Sequence, residues 1–181
     1  MLKNRILLLP FLCAGCLLLI SFSSSRSLQA QTSVPSAAEA PKLEFLFEEV
    51  VTLGPGVHPG ATPWGDRNII PITGGTFFGP RIKGKVLSGG WDWQLATLTG
   101  CFRIQADYMI QTDDGAVINV VNKGTSCKTA AEKQGRLLTT PVFEAPVGTY
   151  EWLNGGAYVG TVDGATLDGK PAVRIRFYKA Y

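Results

Sequence analysis

The chain holds a single histidine, His58, among 181 residues, and only four cysteines. Chemistry that needs several imidazoles, such as a multi-histidine metal site, has no material here. Any histidine-dependent triad or general base would have to use His58, which stands in the Gly/Pro-dense tract Gly54 to Gly65 and reads as a surface loop residue. No serine stands in a nucleophile elbow, since Ser88 precedes Gly89-Gly90-Trp91 in what reads as a β-turn. Gly74-Gly75 with Gly79 lacks the Lys-Ser/Thr and the following helix of a phosphate loop. No metal site and no cofactor motif is expected. Helical periodicity is also scarce: only Thr129 to Gly135 has helical composition, and that is barely two turns.

Basic charge is lacking once the N-terminus is set aside. Lys3 and Arg5 precede an almost wholly apolar run, Ile6 to Phe22, and Leu28-Gln29-Ala30 puts a small residue where a signal peptidase reads. Residues 1–30 therefore read as a secretory leader cleaved after Ala30, so that the mature chain is not expected to stay inserted in a membrane. An alternative uses Cys13-Ala14-Gly15-Cys16 as a lipidation box and anchors the protein through Cys16. The leader carries Lys3, Arg5 and Arg26 and no acid, so subtracting three from 17 basic residues leaves 14 against 14 acidic ones. The formal charge falls from +3 to zero, and nucleic acid is not an expected partner because no basic stripe remains. Cys13 and Cys16 leave with the leader. Cys101 and Cys127 remain as an even pair in a periplasmic or secreted protein, where disulfides persist.

Residues 31–41 are poor in large apolar side chains and read as a flexible linker, which leaves 42–181 as one domain. Along it the apolar period is two. Leu43, Phe45, Phe47, Val51 and Leu53 share one face of the first run, with Glu44, Glu48 and Thr52 on the other, and Glu49 breaks the pattern. The tract Gly54 to Gly65 is expected to lack regular structure. Short strands are expected over Arg67 to Ile72, Thr76 to Phe78, Arg81 to Leu87, Trp91 to Leu98, Leu137 to Phe143, Ala157 to Val162 and Val173 to Tyr178. In the last of these Val173, Ile175 and Phe177 point inward and Arg174 and Arg176 outward. Many short strands with glycine corners at Gly84, Gly89, Gly90 and Gly160 predict an all-β, single-domain antiparallel β-barrel.

The central stretch, Cys101 to Cys127, is a hairpin. Asp113-Asp114-Gly115 suits a three-residue loop with Gly115 at positive φ, and aspartate there stabilises the turn. With Thr112 facing Ala116, Ile110 meets Ile118, Tyr108 meets Val120, Ala106 meets Asn122 and Cys101 meets Cys127, so a Cys101–Cys127 disulfide is expected. Tyr108 and Asn122 then share the interior face with Phe102, Ile104, Ile110, Ile118 and Val120. An inward asparagine needs a hydrogen-bond partner, which Tyr108, Thr73, a buried water or a ligand could supply.

The motifs Pro71-Ile-Thr-Gly-Gly-Thr76 with Gly79-Pro80, Asp92-Trp93-Gln94 after Gly90, Thr112-Asp-Asp-Gly-Ala116 after Tyr108, Asn122-Lys-Gly124, Thr140-Pro-Val-Phe-Glu144, Trp152-Leu-Asn154 and Val159-Gly160 together resemble the family of domains of unknown function numbered 3237, also called uncharacterised protein family 0311. The resemblance implies a compact antiparallel barrel that encloses a small ligand, and no established chemistry. The leader and the cysteine pair depart from the family pattern. Within such a barrel, Trp93 and Trp152 are expected at the mouth, Gln94 and Asn154 as orienting polar groups, and Tyr108 and Asn122 deeper inside. The favoured reading is a binder of a small, partly apolar molecule. The alternatives are a small-metabolite isomerase, lyase or hydrolase using Asp92, Tyr108 or Asp113 for proton transfer, and an envelope interaction module.

Overall fold

The computed structural model describes residues 39–127 and 137–181. Ten strands are found among them: β1 (Leu43–Leu53), β2 (Val57–Thr62), β3 (Gly65–Phe78), β4 (Lys83–Val86), β5 (Gly90–Thr97), β6 (Cys101–Thr112), β7 (Val117–Cys127), β8 (Leu137–Glu144), β9 (Ala157–Leu167) and β10 (Lys170–Ala180). All pairings are antiparallel, in the order β1-β10-β9-β8-β7-β6-β4-β3, and β1 pairs back with β3 to close the ring. β2 continues the position of β1 along β3, and β5 continues the position of β4 between β3 and β6, so the ten strands fill an eight-stranded closed barrel. Among the described residues, the β1–β3 pairing joins what would otherwise be the two outer edges of the sheet.

The central hairpin has the register that its turn dictates: Cys101↔Cys127, Ala106↔Asn122, Tyr108↔Val120 and Ile110↔Ile118 are all paired. Gly115 takes φ +95° and its N–H donates to Thr112 O at 2.9 Å. Cys101 and Cys127 are disulfide-bonded across the open end, with Cα atoms 4.0 Å apart.

Four local expectations are corrected. The Gly/Pro tract is not irregular, because β2 lies inside it; Pro59 sits where the β2–β3 register shifts between Val57 and Gly60, so its missing N–H breaks no ladder bond. Gly74-Gly75 does not separate two strands. β3 runs straight through, and Gly75, at φ +141°, lets β1 come so close that a Cβ would lie 2.2 Å from Val50 O. Leu43 and Phe45 do not face inward: a bulge between Phe45 and Phe47 inverts the phase, so Leu46 is buried while Leu43 and Phe45 are exposed. β9 and β10 extend past their expected ends because Asp168 and Gly169, both at positive φ, form a tight turn between Leu167 and Lys170. The expected helical stretch over Thr129 to Gly135 lies outside the described residues, as do the leader and most of the linker.

The interior is layered. At one end Phe47, Phe77, Phe143, Phe177 and Tyr158 form a plug of tilted and edge-on rings with centroids 4.9–5.8 Å apart. Such pairs add roughly 0.5–1.5 kcal/mol each beyond their buried area. The 3-10 turn Glu151–Leu153 buries Leu153 in the same core. Moving along each strand by two residues at a time, Phe47 gives way to Glu49 and then Val51, and Phe177 to Ile175 and then Val173. The aromatic plug thus ends at a polar layer, beyond which the barrel is open inside.

Candidate functional site

Beyond the polar layer lies a cavity of about 200 Å³. Its walls are mainly aliphatic and aromatic, among them Leu53, Ile72, Phe102, Ile104, Val162 and Val173, and its polar lining is confined to Asp92, Gln94, Tyr108 and Asn122. An apolar enclosure with a few placed polar groups is the usual form of a small-molecule site.

Each polar group is positioned by its strand. On β5, alternation sends Asp92 and Gln94 inward and leaves Trp91 and Trp93 outside. Gln94 Nε2 donates to Asp92 Oδ2 at 2.8 Å, and Gln94 Oε1 accepts from Asn68 Nδ2 at 3.1 Å, so the carboxamide is held from both ends. Burial raises the pKa of Asp92 above the usual carboxylate range, and the Gln94 hydrogen bond opposes that rise only in part. Asp92 Oδ1 is buried and has no hydrogen-bond partner among the described residues.

Tyr108 on β6 donates its hydroxyl hydrogen to Glu49 Oε1 on β1, joining two residues 59 positions apart. Glu49 is fully buried, and burial pushes its carboxyl up to about 8 even though the Tyr108 bond pulls the other way. Burial together with the charge of Glu49 holds the Tyr108 phenol well above its ordinary range, so Tyr108 remains a donor. Glu49 Oε2 and Asn122 Oδ1 are likewise buried and unpartnered among the described residues. Asn122 on β7 pairs with Ala106 and Pro141, and is 1% exposed.

Of the residues expected from sequence at a site, Gln94, Tyr108 and Asn122 meet in this cavity. Trp93 does not line it, because strand alternation places it on the outer wall, 45% exposed. Trp152 and Asn154 also lie elsewhere. Trp152 packs against the core under Arg81, whose guanidinium carbon is 4.2 Å from the ring centroid. Asn154 serves the backbone, accepting from Ala145 N at 2.7 Å and donating to Ala145 O at 3.0 Å. Asp113 is exposed in the hairpin turn and paired with Lys83 at 3.3 Å, which removes it as a proton-transfer group in the cavity. Asp114 accepts from Thr112 and from Tyr150 at 3.0 Å, as a turn residue does. Glu49 escaped the sequence reading although its phase announced it, being two residues from inward Phe47 and two from inward Val51.

The family model described as "Protein of unknown function (DUF3237)" matches residues 41–180. A UPF0311 protein of Rhodopseudomonas palustris (strain TIE-1) is 33% identical over 135 residues, covering 67% of this chain and 88% of its own. A hydroalkoxylation enzyme of Penicillium herquei is 31% identical over 132 residues, covering 73% of this chain and 81% of its own. Among solved structures, a β-barrel-like protein of Acinetobacter baumannii superposes with a TM-score of 0.67 at 32% identity, covering 80% of this chain and 98% of that one. Matched in sequence from the start of β1 to the end of β10 and in fold around the ring, the chain belongs to the DUF3237, or UPF0311, family.

Proposed function

We propose that the barrel binds a small, partly apolar molecule and acts on it by acid–base chemistry. The observation that carries this reading is Asp92, a carboxylate of raised pKa in the wall of an otherwise apolar cavity, with one oxygen left unpartnered. A carboxyl whose pKa is raised by burial holds its proton more readily than an ordinary carboxylate, which suits it to give and take a proton in one turnover. Tyr108, bonded to Glu49, supplies a second proton-bearing group on the same cavity. Gln94 orients Asp92, and the apolar walls hold the body of the molecule and exclude water, which strengthens each polar contact. The Penicillium relative supports this class of chemistry, because adding an alcohol across a double bond requires one proton to be removed and one delivered. A filled barrel would have favoured an interaction module instead, and this one is not filled.

Native mass spectrometry of the purified protein tests the reading. A bound molecule of a size that fits the cavity, chemically changed on incubation with wild type and unchanged with Asp92→Asn, is expected. Retention without change in either protein would reduce the proposal to binding, and no retained molecule in any preparation would remove its basis.

We further propose export to the periplasm or beyond, on the strength of the N-terminal charge and apolar pattern and of the Cys101–Cys127 bond. Intact mass of secreted material should give Gln31 as the first residue. A diacylglyceryl adduct on Cys16 would overturn that processing.

A further inference from the structure

Two polar side chains of the cavity wall each keep a buried oxygen without a hydrogen-bond donor among the described residues. The Gln94 amide N–H serves Asp92 Oδ2 and the Tyr108 hydroxyl serves Glu49 Oε1. Asp92 Oδ1 and Asn122 Oδ1, on two cavity-lining residues, are buried and unmatched among the described residues, whereas the unmatched Glu49 Oε2 behind Tyr108 holds the proton that the buried carboxyl keeps. Buried acceptors without donors are costly, and a protein rarely keeps two of them beside one empty space. An anionic ligand would be placed among apolar walls and beside the Asp92 carboxyl with no cationic side chain among the described lining residues, which is costly.

From this we infer that the cavity takes an uncharged, donor-bearing ligand: a single ring or short unsaturated skeleton carrying two adjacent hydroxyl groups, which point at Asp92 and Asn122. This rests on the reading of the cavity as a ligand site and adds the chemical class of the ligand. Size agrees, since a dry cavity of about 150 Å³ accepts benzene and this one, at about 200 Å³, leaves room for two substituents on such a ring. The same hydroxyls would stand within reach of Asp92, the group assigned to proton transfer.

Three probes of nearly equal size test the class: catechol, with two adjacent hydroxyls; o-xylene, with methyls in their place; and benzoate, an anion. Binding is followed by calorimetry and by amide and methyl NMR shifts of Ile104, Tyr108 and Val162. Catechol should bind at least ~10-fold more tightly than o-xylene, as expected for one or two net hydrogen bonds to buried acceptors, and benzoate should not shift these resonances. The catechol preference should shrink toward unity in Asn122→Leu. O-xylene binding as tightly as catechol, or benzoate binding at all, would overturn the donor inference while leaving a ligand cavity in place. Failure of both neutral rings to perturb the cavity would overturn the inference and the ligand-site reading together. Because the comparison is made first on the wild-type protein, it does not depend on the variant folding.

Discussion

Tyr108 and Glu49 meet inside the barrel, phenol donating to a carboxyl oxygen, at the boundary between the aromatic plug and the cavity. The bond ties β1 to β6 across the interior, and burial, against the pull of that bond, keeps the proton on Glu49.

The raised pKa of Glu49 makes stability depend on pH with a definite sign. Below about pH 4.5 the carboxyl is protonated in both folded and unfolded chains, and its full contribution is present. Between there and about 8 the unfolded chain releases the proton and the folded one keeps it, so stability falls as pH rises. Glu49→Gln should flatten this decline and, at pH 8, exceed wild type by on the order of 3–5 kcal/mol. Denaturant melts from pH 4 to 9 provide the check. A wild-type curve that rises across this window would contradict a protonated Glu49.

Asn122→Leu removes a buried polar requirement with a side chain of similar volume instead of leaving the group unpaired. The variant should keep its unfolding free energy within about 1–2 kcal/mol of wild type and lose any molecule that wild type retains. Unfolding of Asn122→Leu would assign the residue to the framework, and retention of the ligand would take it out of the site.

Trp93 and Asn154 separate the outer wall and the framework from the cavity. Trp93→Ala should leave ligand affinity within about twofold, since the side chain is exposed on the outer wall and does not line the cavity. Asn154→Ala should cost about 1–3 kcal/mol by freeing both polar groups of Ala145, with ligand affinity unchanged. A tenfold affinity loss in Trp93→Ala would return that ring to the mouth of the site.

The Cys101–Cys127 bond closes a loop with a sequence separation of 26. Chain entropy assigns it about 3–4 kcal/mol, so reduction, or the paired Cys101→Ser and Cys127→Ser change, should lower stability by that amount without altering the hairpin register. Non-reducing peptide mapping should recover the linkage. Two free thiols in protein prepared under oxidising conditions would show that the pair does not meet in solution.

The barrel, its hairpin register and the cysteine pairing were legible in the sequence because they follow from local rules. Alternation sends side chains to opposite faces, and Asp113-Asp114-Gly115 sets the turn, so counting residues from the turn reaches Ala106↔Asn122 and Cys101↔Cys127 without knowledge of any other strand. The same counting placed Tyr108 and Asn122 inside. It went astray where a distant strand decides. The bulge that turns Phe45 outward is set by pairing with β10, and β3 passes unbroken through Gly74-Gly75 because β1 approaches Gly75 from across the ring. Trp93, by contrast, was misplaced on a local rule: it lies between Asp92 and Gln94, so alternation alone sends it to the outer wall while they line the cavity. Glu49 shows the division most plainly. Its inward phase is written in β1, but whether an inward carboxylate is a tolerated surface group or a buried acid depends on what stands opposite, and only closure of the barrel brings Tyr108 to it and removes the water that would otherwise solvate its charge.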